Sequence, residues 1–217
     1  MYSYDETKEK LKIFEEEWDT AYVENSPEDL GWYEKISEPS LTLIKKYLKE
    51  REKTVLDAGC GESTLIQSLL DNGYRNLIGI DISSQAIKFL NENIRLPKDA
   101  TLELRRENLT EQLNFKKQGG LWHDRAVFHF LQKRTEQQGY KKNLFNFLGK
   151  GDIFIIACYS DENSAEMCNG LPVKKYNLED LKKIFSDNFK FEESLLWDYI
   201  MSSGDIRKYI YAVFSKK

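Results

Sequence analysis

The sequence predicts an α/β fold in which a mainly parallel sheet carries helices on both faces. Three consecutive features predict it. Thr54-Val55-Leu56, closing on Asp57, is a short apolar, partly β-branched run of the kind that forms a buried strand. Gly59-Cys60-Gly61 then supplies a loop whose backbone can come close to a ligand. From Ser63 a helical pattern puts Leu65, Ile66, Leu69 and Leu70 on one face before Gly73 stops it. A second strand, Leu77-Ile78-Gly79-Ile80, ends on Asp81, about twenty residues past the loop, where a nucleotide-binding βαβ unit keeps its ribose-binding carboxylate. A glycine turn at a helix N-terminus presents free N–H groups and a positive dipole end to an anion. The third glycine of a dinucleotide fingerprint is absent, its place being taken by Thr64.

Composition narrows the class. At 217 residues the chain suits a single domain, 1–217, with a sizeable core. Charged residues make up 31% and the net charge is −4, a poor balance for binding nucleic acid. No apolar run reaches the length of a membrane span and MYSYDETKEK contains no apolar signal region, so a cytoplasmic protein without membrane partners is expected. Cys60, Cys158 and Cys168 are an odd, scattered set. They point to a reducing compartment rather than to a disulfide framework or a metal site.

The remaining elements follow in order. Residues 5–23 form an amphipathic helix with Leu11, Phe14, Trp18, Ala21 and Tyr22 at helical spacing. Between Met1 and Glu38 twelve acids stand against four lysines, which reads either as a solvated helix face or as an acidic rim for a cationic substrate. Beyond Gly31-Trp32-Tyr33, a helix runs from Glu38-Pro39-Ser40-Leu41 to about Leu48, with Ser37 or Ser40 as its cap and Pro39 in its first turn. After Asp81 and Ile82, Ser83 or Ser84 caps a helix to about Ile94 that buries Ala86, Ile87 and Leu90. Thr101 to Arg105 alternates as a third strand and leads into Glu107-Asn108-Leu109-Thr110.

Leu121-Trp122 begins a fourth strand with Asp124 near its carboxyl end, the edge where open α/β sheets place ligands. Residues 133–148 are helical and residues 152–157 form an apolar central strand. Asn177 caps a helix through Phe185, with Asp180 as its N3 acid. Phe191–Ile200 and Lys208–Phe214 alternate around Ser202-Ser203-Gly204-Asp205 as a hairpin.

Leu56-Asp57-Ala58-Gly59-Cys60-Gly61-Glu62-Ser63 resembles the signature of class I S-adenosylmethionine-dependent methyltransferases, V/L-L/V-D/E-x-G-x-G-x-G/S. Three further stretches resemble a small bacterial-type branch of that family. Trp32-Tyr33 with Pro39-Ser40-Leu41 is similar to its W-Y…P-S-L segment. Leu121 to Leu131, LWHDRAVFHFL, is similar to its D-L-W-H-D-R-A-V-F-H-F-L run, and Cys168 to Val173 to its C-S-G-L-P-V run. The departures are Gly120 for the leading acid of the second run, Asn169 for a serine, and Asn108 for an acid that commonly binds the adenine amino group. In addition, Tyr199 to Gly204 lacks the histidine and proline of a His-x-T-P-x-G corner.

The resemblance implies a Rossmann-like, seven-stranded, mainly parallel sheet with an antiparallel last strand. It also implies a helical segment, 1–50, covering the cofactor site of a 51–217 core. The implied cofactor is S-adenosylmethionine, with S-adenosylhomocysteine as product. Its contacts would be Trp32, Asp57, Gly59, Cys60, Gly61, Asp81, Ile82, Asn108 (through its amide oxygen) and Leu109. On the substrate side Asp124 would lie nearest the transferred methyl. Arg125 would pair with a carboxylate or buttress the strand end, and His129 would face the site one helical turn later; Asp124 or His129 would serve as base for a protonated nucleophile. Cys168 would be a pocket wall. The expected activity is methyl transfer to a small-molecule acceptor. Alternatives are a protein-lysine acceptor, because Asp124-Arg125-Ala126 has the order of the D-K-G-T run of such enzymes, and a non-catalytic module that binds the cofactor.

Overall fold

The computed structural model describes residues 4–116 and 119–217, with the side chains of Lys12 and of residues from 14 onward; Leu11, counted above on the first helix, lies outside the described side chains. Five parallel strands, β1 (Thr54–Ala58), β2 (Asn76–Asp81), β3 (Thr101–Arg106), β4 (Leu121–Arg125) and β5 (Ile153–Tyr159), are joined by a terminal hairpin. A two-stranded excursion, β6 (Met167–Cys168) and β7 (Leu171–Pro172), precedes that hairpin, β8 (Phe189–Ile200) and β9 (Ile206–Lys216). The main sheet runs β3-β2-β1-β4-β5-β9-β8, with β9 antiparallel to both neighbours. This is the expected seven-stranded, Rossmann-like arrangement. Its strand order reverses between β1 and β4, and a crevice opens at the carboxyl ends of strands at such a switch point.

The period-2 alternation of the strands builds two apolar layers. Val55, Leu77, Ile155 and Val213 face one layer, where α2 (Ser40–Tyr47), α3 (Leu65–Asp71) and α4 (Ser84–Asn93) supply Ile44, Leu65 and Leu90. Leu56, Ile78, Phe154 and Phe214 face the other, against Tyr140 and Leu144 of α5 (Arg134–Phe147) and Phe185 of α6 (Leu178–Phe185). Each such side chain, fully buried, contributes about 1.5–3 kcal/mol. The first helix, α1 (Tyr4–Glu24), lies over the first layer, with Phe14 and Trp18 packed on it. No described helix is long and apolar enough to cross a membrane.

Helix starts test the capping assignments. Ser83 caps α4, accepting from the Gln85 and Ala86 N–H groups at 3.1 and 3.2 Å. Asn177 and Asp180 form the reciprocal box at α6. The assignment at α2 is corrected: Pro39 is its N-cap, and neither Ser37 nor Ser40 caps it with a side chain. Their hydroxyls are used elsewhere, Ser37 on Thr64 at 2.8 Å and Ser40 on His123 at 2.9 Å.

Two departures from the family pattern gain a physical account. Gly120 opens β4 at its amino edge with φ +103, and a Cβ there would lie 2.2 Å from the Thr54 carbonyl oxygen. This backbone admits no side chain, and the position is at the opposite sheet edge from the crevice. At the corner missing its histidine, the Tyr199 hydroxyl donates to the Tyr33 carbonyl and so ties the hairpin to the Trp32-Tyr33 loop.

Candidate cofactor site

A cavity of about 1170 Å3, mouth included, opens at the switch point. Four strand ends contribute: Asp57 and the Gly59-Cys60-Gly61 loop at β1, Asp81 and Ile82 at β2, Asn108 and Leu109 beyond β3, and Arg125 to Val127 at β4. Phe14, Trp18, Tyr22 and Trp32 line it from the N-terminal side.

The glycine loop is shaped by necessity. Gly59 and Gly61 have φ +71 and +48, values that side-chain-bearing residues rarely adopt. A Cβ on Gly61 would meet the Tyr22 hydroxyl at 2.6 Å, and one on Gly59 would meet Val127 Cγ2 at 2.0 Å. The Gly61 N–H donates to Asp81 Oδ2 at 2.8 Å and the Ser83 N–H donates to Oδ1 at 2.9 Å. Each carboxylate oxygen therefore keeps a lone pair for a ribose hydroxyl. Burial pushes Asp81 up to about 6, against the pull of those N–H groups.

Glu62, the next residue, is also buried, which pushes its carboxyl up to about 7, and its Oε2 has no hydrogen-bond partner among the described residues. A buried carboxylate oxygen without a partner is costly. A cationic ligand in the cavity would relieve it.

Aromatic rings roof the cavity. Trp18 packs edge-on against Trp32 at 5.2 Å and Phe130 at 5.3 Å, while Tyr22 meets Trp32 at 6.1 Å. Helix α1 is held in place by Asp19, which accepts from the Ser83 and Ser84 hydroxyls at 2.6 and 2.9 Å and joins in capping α4. Aromatic faces above and carboxylates below suit a positively charged ligand. Neither Asp19 nor Tyr22 carries a motif: Tyr22 was marked only by its helical spacing with Trp18, and Asp19 fell among the acids of the opposite, charged face.

On the substrate side the structure separates what the sequence grouped. Arg125 lines the cavity, donating to the Trp32 carbonyl at 3.0 Å and pairing with Glu34 at 3.0 Å, its guanidinium about 5 Å from the Tyr199 and Tyr209 rings. Asp124 lies on the other face of the sheet, because strand alternation turns His123 and Arg125 one way and Trp122 and Asp124 the other. It is fully buried, accepting from Tyr140 at 2.6 Å and from the Val127 and Phe128 N–H groups at 3.0 and 3.4 Å. Burial raises it to about 6.

His129 is likewise fully buried off the cavity wall, in a short helical turn. Its Nδ1 accepts from the Tyr159 N–H at 3.2 Å, and burial with the charge of Arg125 pushes its pKa down to about 3. Asn108 lines the cavity, but its Oδ1 already accepts from the Thr110 N–H and hydroxyl at 2.9 and 2.8 Å. An adenine amino group would find no free acceptor on that oxygen. Cys168 lines the cavity with the Tyr159 hydroxyl as its side-chain hydrogen-bond partner, and burial pushes its thiol up.

Two polar groups to which the sequence assigned no place in the cavity, His123 and Ser40, meet there. His123 Nδ1 lies 2.7 Å from Asp57 Oδ1 and its Nε2 lies 2.9 Å from Ser40 Oγ, all three residues lining the cavity.

Comparison with known proteins agrees with this geometry. A family model described as "Methyltransferase domain" matches residues 49–211, and the chain belongs to that family. Family and fold make it a class I methyltransferase, the kind of enzyme whose methyl donor is S-adenosylmethionine. Among solved structures, a SAM-dependent methyltransferase from Anabaena variabilis is 16% identical, superposes with a TM-score of 0.75 and covers 95% of each chain. The 1,6-didemethyltoxoflavin-N1-methyltransferase of Burkholderia thailandensis, seen with its substrate and S-adenosylhomocysteine, is 13% identical with a TM-score of 0.69, covering 100% of this chain and 92% of its own. The human eEF1A lysine and N-terminal methyltransferase is 39% identical over 75 residues, 35% of this chain and a tenth of that protein's length.

Proposed function

We propose that the chain moves a methyl group from S-adenosylmethionine to a small-molecule acceptor entering beside Trp32, Tyr33 and the end of β4. The observation that supports this reading is the aromatic roof, with Trp18, Tyr22 and Trp32 lining the same cavity as the glycine loop. The sulfonium supplies a methyl group that is already activated, so the work left to the chain is alignment and exclusion of water. Asp81 would hold the ribose, the Gly59–Gly61 backbone would lie against the amino-acid arm, and Leu109 with Ile82 would flank the adenine. Trp18 and Trp32 would face the cation. Asp124 and His129 support the walls, the first by bracing the turn after β4 and the second by receiving the Tyr159 N–H.

A protein-lysine acceptor is the second reading. It is favoured by the partial likeness to the eEF1A methyltransferase and by the acidic stretch before Glu38. Incubation of a cell lysate with methyl-labelled S-adenosylmethionine and the protein, followed by separation by size, decides between them. Label in the small-molecule fraction supports the first reading. Label confined to a protein band overturns it in favour of the second.

A further inference from the structure

We propose that Ser40, His123 and Asp57 form a proton relay that takes a proton from the methyl acceptor, with Ser40 touching the acceptor, His123 storing the proton and Asp57 positioning His123. The inference rests on the methyl-transfer reading and names the acceptor class: a nucleophile that arrives carrying a proton, such as an ammonium or a hydroxyl, rather than a thioether or tertiary amine.

The geometry is a continuous chain of short contacts across four elements. Asp57 on β1 meets His123 Nδ1 on β4 at 2.7 Å, and His123 Nε2 meets Ser40 Oγ at the start of α2 at 2.9 Å. Ser40 Oγ lies 3.4 Å from the Tyr211 hydroxyl on β9. Asp57, His123 and Ser40 are 4%, 2% and 1% exposed, yet all three line the cavity. With Nδ1–H donated to the carboxylate, Nε2 is left as an acceptor and the Ser40 hydroxyl is its donor. Tyr211 can then donate to Ser40, whose second lone pair remains for the cavity. The donor order is that of Ser-His-Asp triads, used here to remove a proton rather than to form an acyl bond.

Position supports the assignment. Asp57 and His123 sit side by side in the β1–β4 register, at the point where the strand order reverses. The donor's sulfur end and the acceptor must meet above that point. The three members come from three of the sequence's distinctive stretches, the glycine-loop motif, the Pro39-Ser40-Leu41 segment and the LWHDR run, and methyl transfer alone gives Ser40 and His123 no work. The groups facing His123 are Asp57 from β1, Ser40 from α2 and, through Ser40, Tyr211. Its neighbours along β4 are Asp124, turned to the other face, and Arg125, which pairs with Glu34.

In the transfer the acceptor's lone pair bonds the methyl carbon and the carbon–sulfur bond breaks, its electron pair staying on sulfur. The acceptor's proton passes to Ser40 Oγ as Ser40's own proton passes to His123 Nε2. The imidazolium so formed is held by the Asp57 carboxylate until it releases the proton to water.

The chain contains two histidines, so 15N-histidine spectra of the protein with S-adenosylhomocysteine added are assignable with a His129→Asn variant. The expected spectrum shows His123 neutral at pH 7.5, with the proton on Nδ1 and Nε2 unprotonated. A proton on Nε2, or an imidazolium persisting from pH 6 to 9, would overturn the relay, because Nε2 could then accept nothing. The second measurement uses methyl-labelled S-adenosylmethionine and the small-molecule fraction of a lysate. His123→Asn should lower label incorporation at pH 7.5 by about 100-fold or more. The residual rate should climb about tenfold per pH unit up to pH 9 as the acceptor loses its proton unaided, with the S-adenosylhomocysteine Kd within about threefold of the wild type's. Incorporation by the variant that tracks the wild type in rate and pH profile would overturn the proposal. Should the wild type label neither the small-molecule fraction nor a protein band, it is methyl transfer that fails, and the spectrum still decides the relay.

Discussion

Asp81→Asn isolates the contact proposed to hold the cofactor's ribose. Asp81 accepts from the Gly61 and Ser83 N–H groups and keeps one lone pair on each oxygen for the ribose. Asparagine retains one acceptor and turns a donor toward groups that are themselves donors. One charge-assisted bond to the ribose is lost and the other becomes neutral; with such bonds worth about 1.5–3 kcal/mol each, the net loss is about 2–4 kcal/mol. That corresponds to a Kd about 30- to 1000-fold weaker for S-adenosylhomocysteine. Stability should respond differently. Burial holds the Asp81 carboxyl at about 6, so at pH 7.5 the folded chain already bears the cost of a buried charge that asparagine removes. The cofactor-free variant should melt within about 3 °C of the wild type. Isothermal titration and calorimetry measure the two quantities separately. A variant that folds normally and binds within threefold of the wild type would refute the ribose assignment.

Further outcomes follow from the same geometry. Gly61→Ala places a Cβ against the Tyr22 hydroxyl at a φ of +48; it should cost about 1–2 kcal/mol of stability and at least tenfold in cofactor affinity, read by calorimetry and titration. Glu62, raised to about 7, favours its protonated form in the folded state. Its contribution is therefore present below the ordinary carboxylate range and lost as pH rises through about 7. The Tm of the cofactor-free protein should fall between pH 5.5 and 8 by on the order of 2–4 °C, and Glu62→Gln should flatten part of that fall, Asp81 and Asp124 supplying the rest. Asp124→Ala strands the Tyr140 hydroxyl and two N–H groups, at roughly 3 kcal/mol, or on the order of 6–12 °C in Tm, with the affinity of the folded protein for S-adenosylhomocysteine within threefold. An unchanged Tm with tenfold weaker binding would instead put Asp124 in the site.

The glycine-loop side of the cavity was legible in the sequence because it is built locally. Strand, glycine turn and helix lie within one βαβ unit, and the acid at Asp81 is reached by counting. The side of the cavity around Ser40, His123 and Arg125 is assembled from distant segments, and there sequence spacing misleads. Asp124 drew attention as a carboxylate at a sheet edge, but the one-residue alternation of β4 turns it away and turns His123 inward. Ser40 looked like a helix cap because caps are read from neighbours along the chain; its partner, His123, is 83 residues away. Asn108 has the right atom for adenine, yet Thr110, two residues on, takes its oxygen. Gly120 read as a lost acid, whereas its positive φ and the Thr54 carbonyl leave no space for one.

Thermal unfolding of the cofactor-stripped protein with S-adenosylmethionine, S-adenosylhomocysteine or NAD tests the central claim most directly. A ligand at about a hundred times its Kd adds roughly 2.7 kcal/mol, on the order of 5–10 °C for a chain of this size. The account predicts that shift with both sulfur ligands and none with NAD. No shift with either sulfur ligand would contradict it, and the glycine loop would then belong to some other molecule.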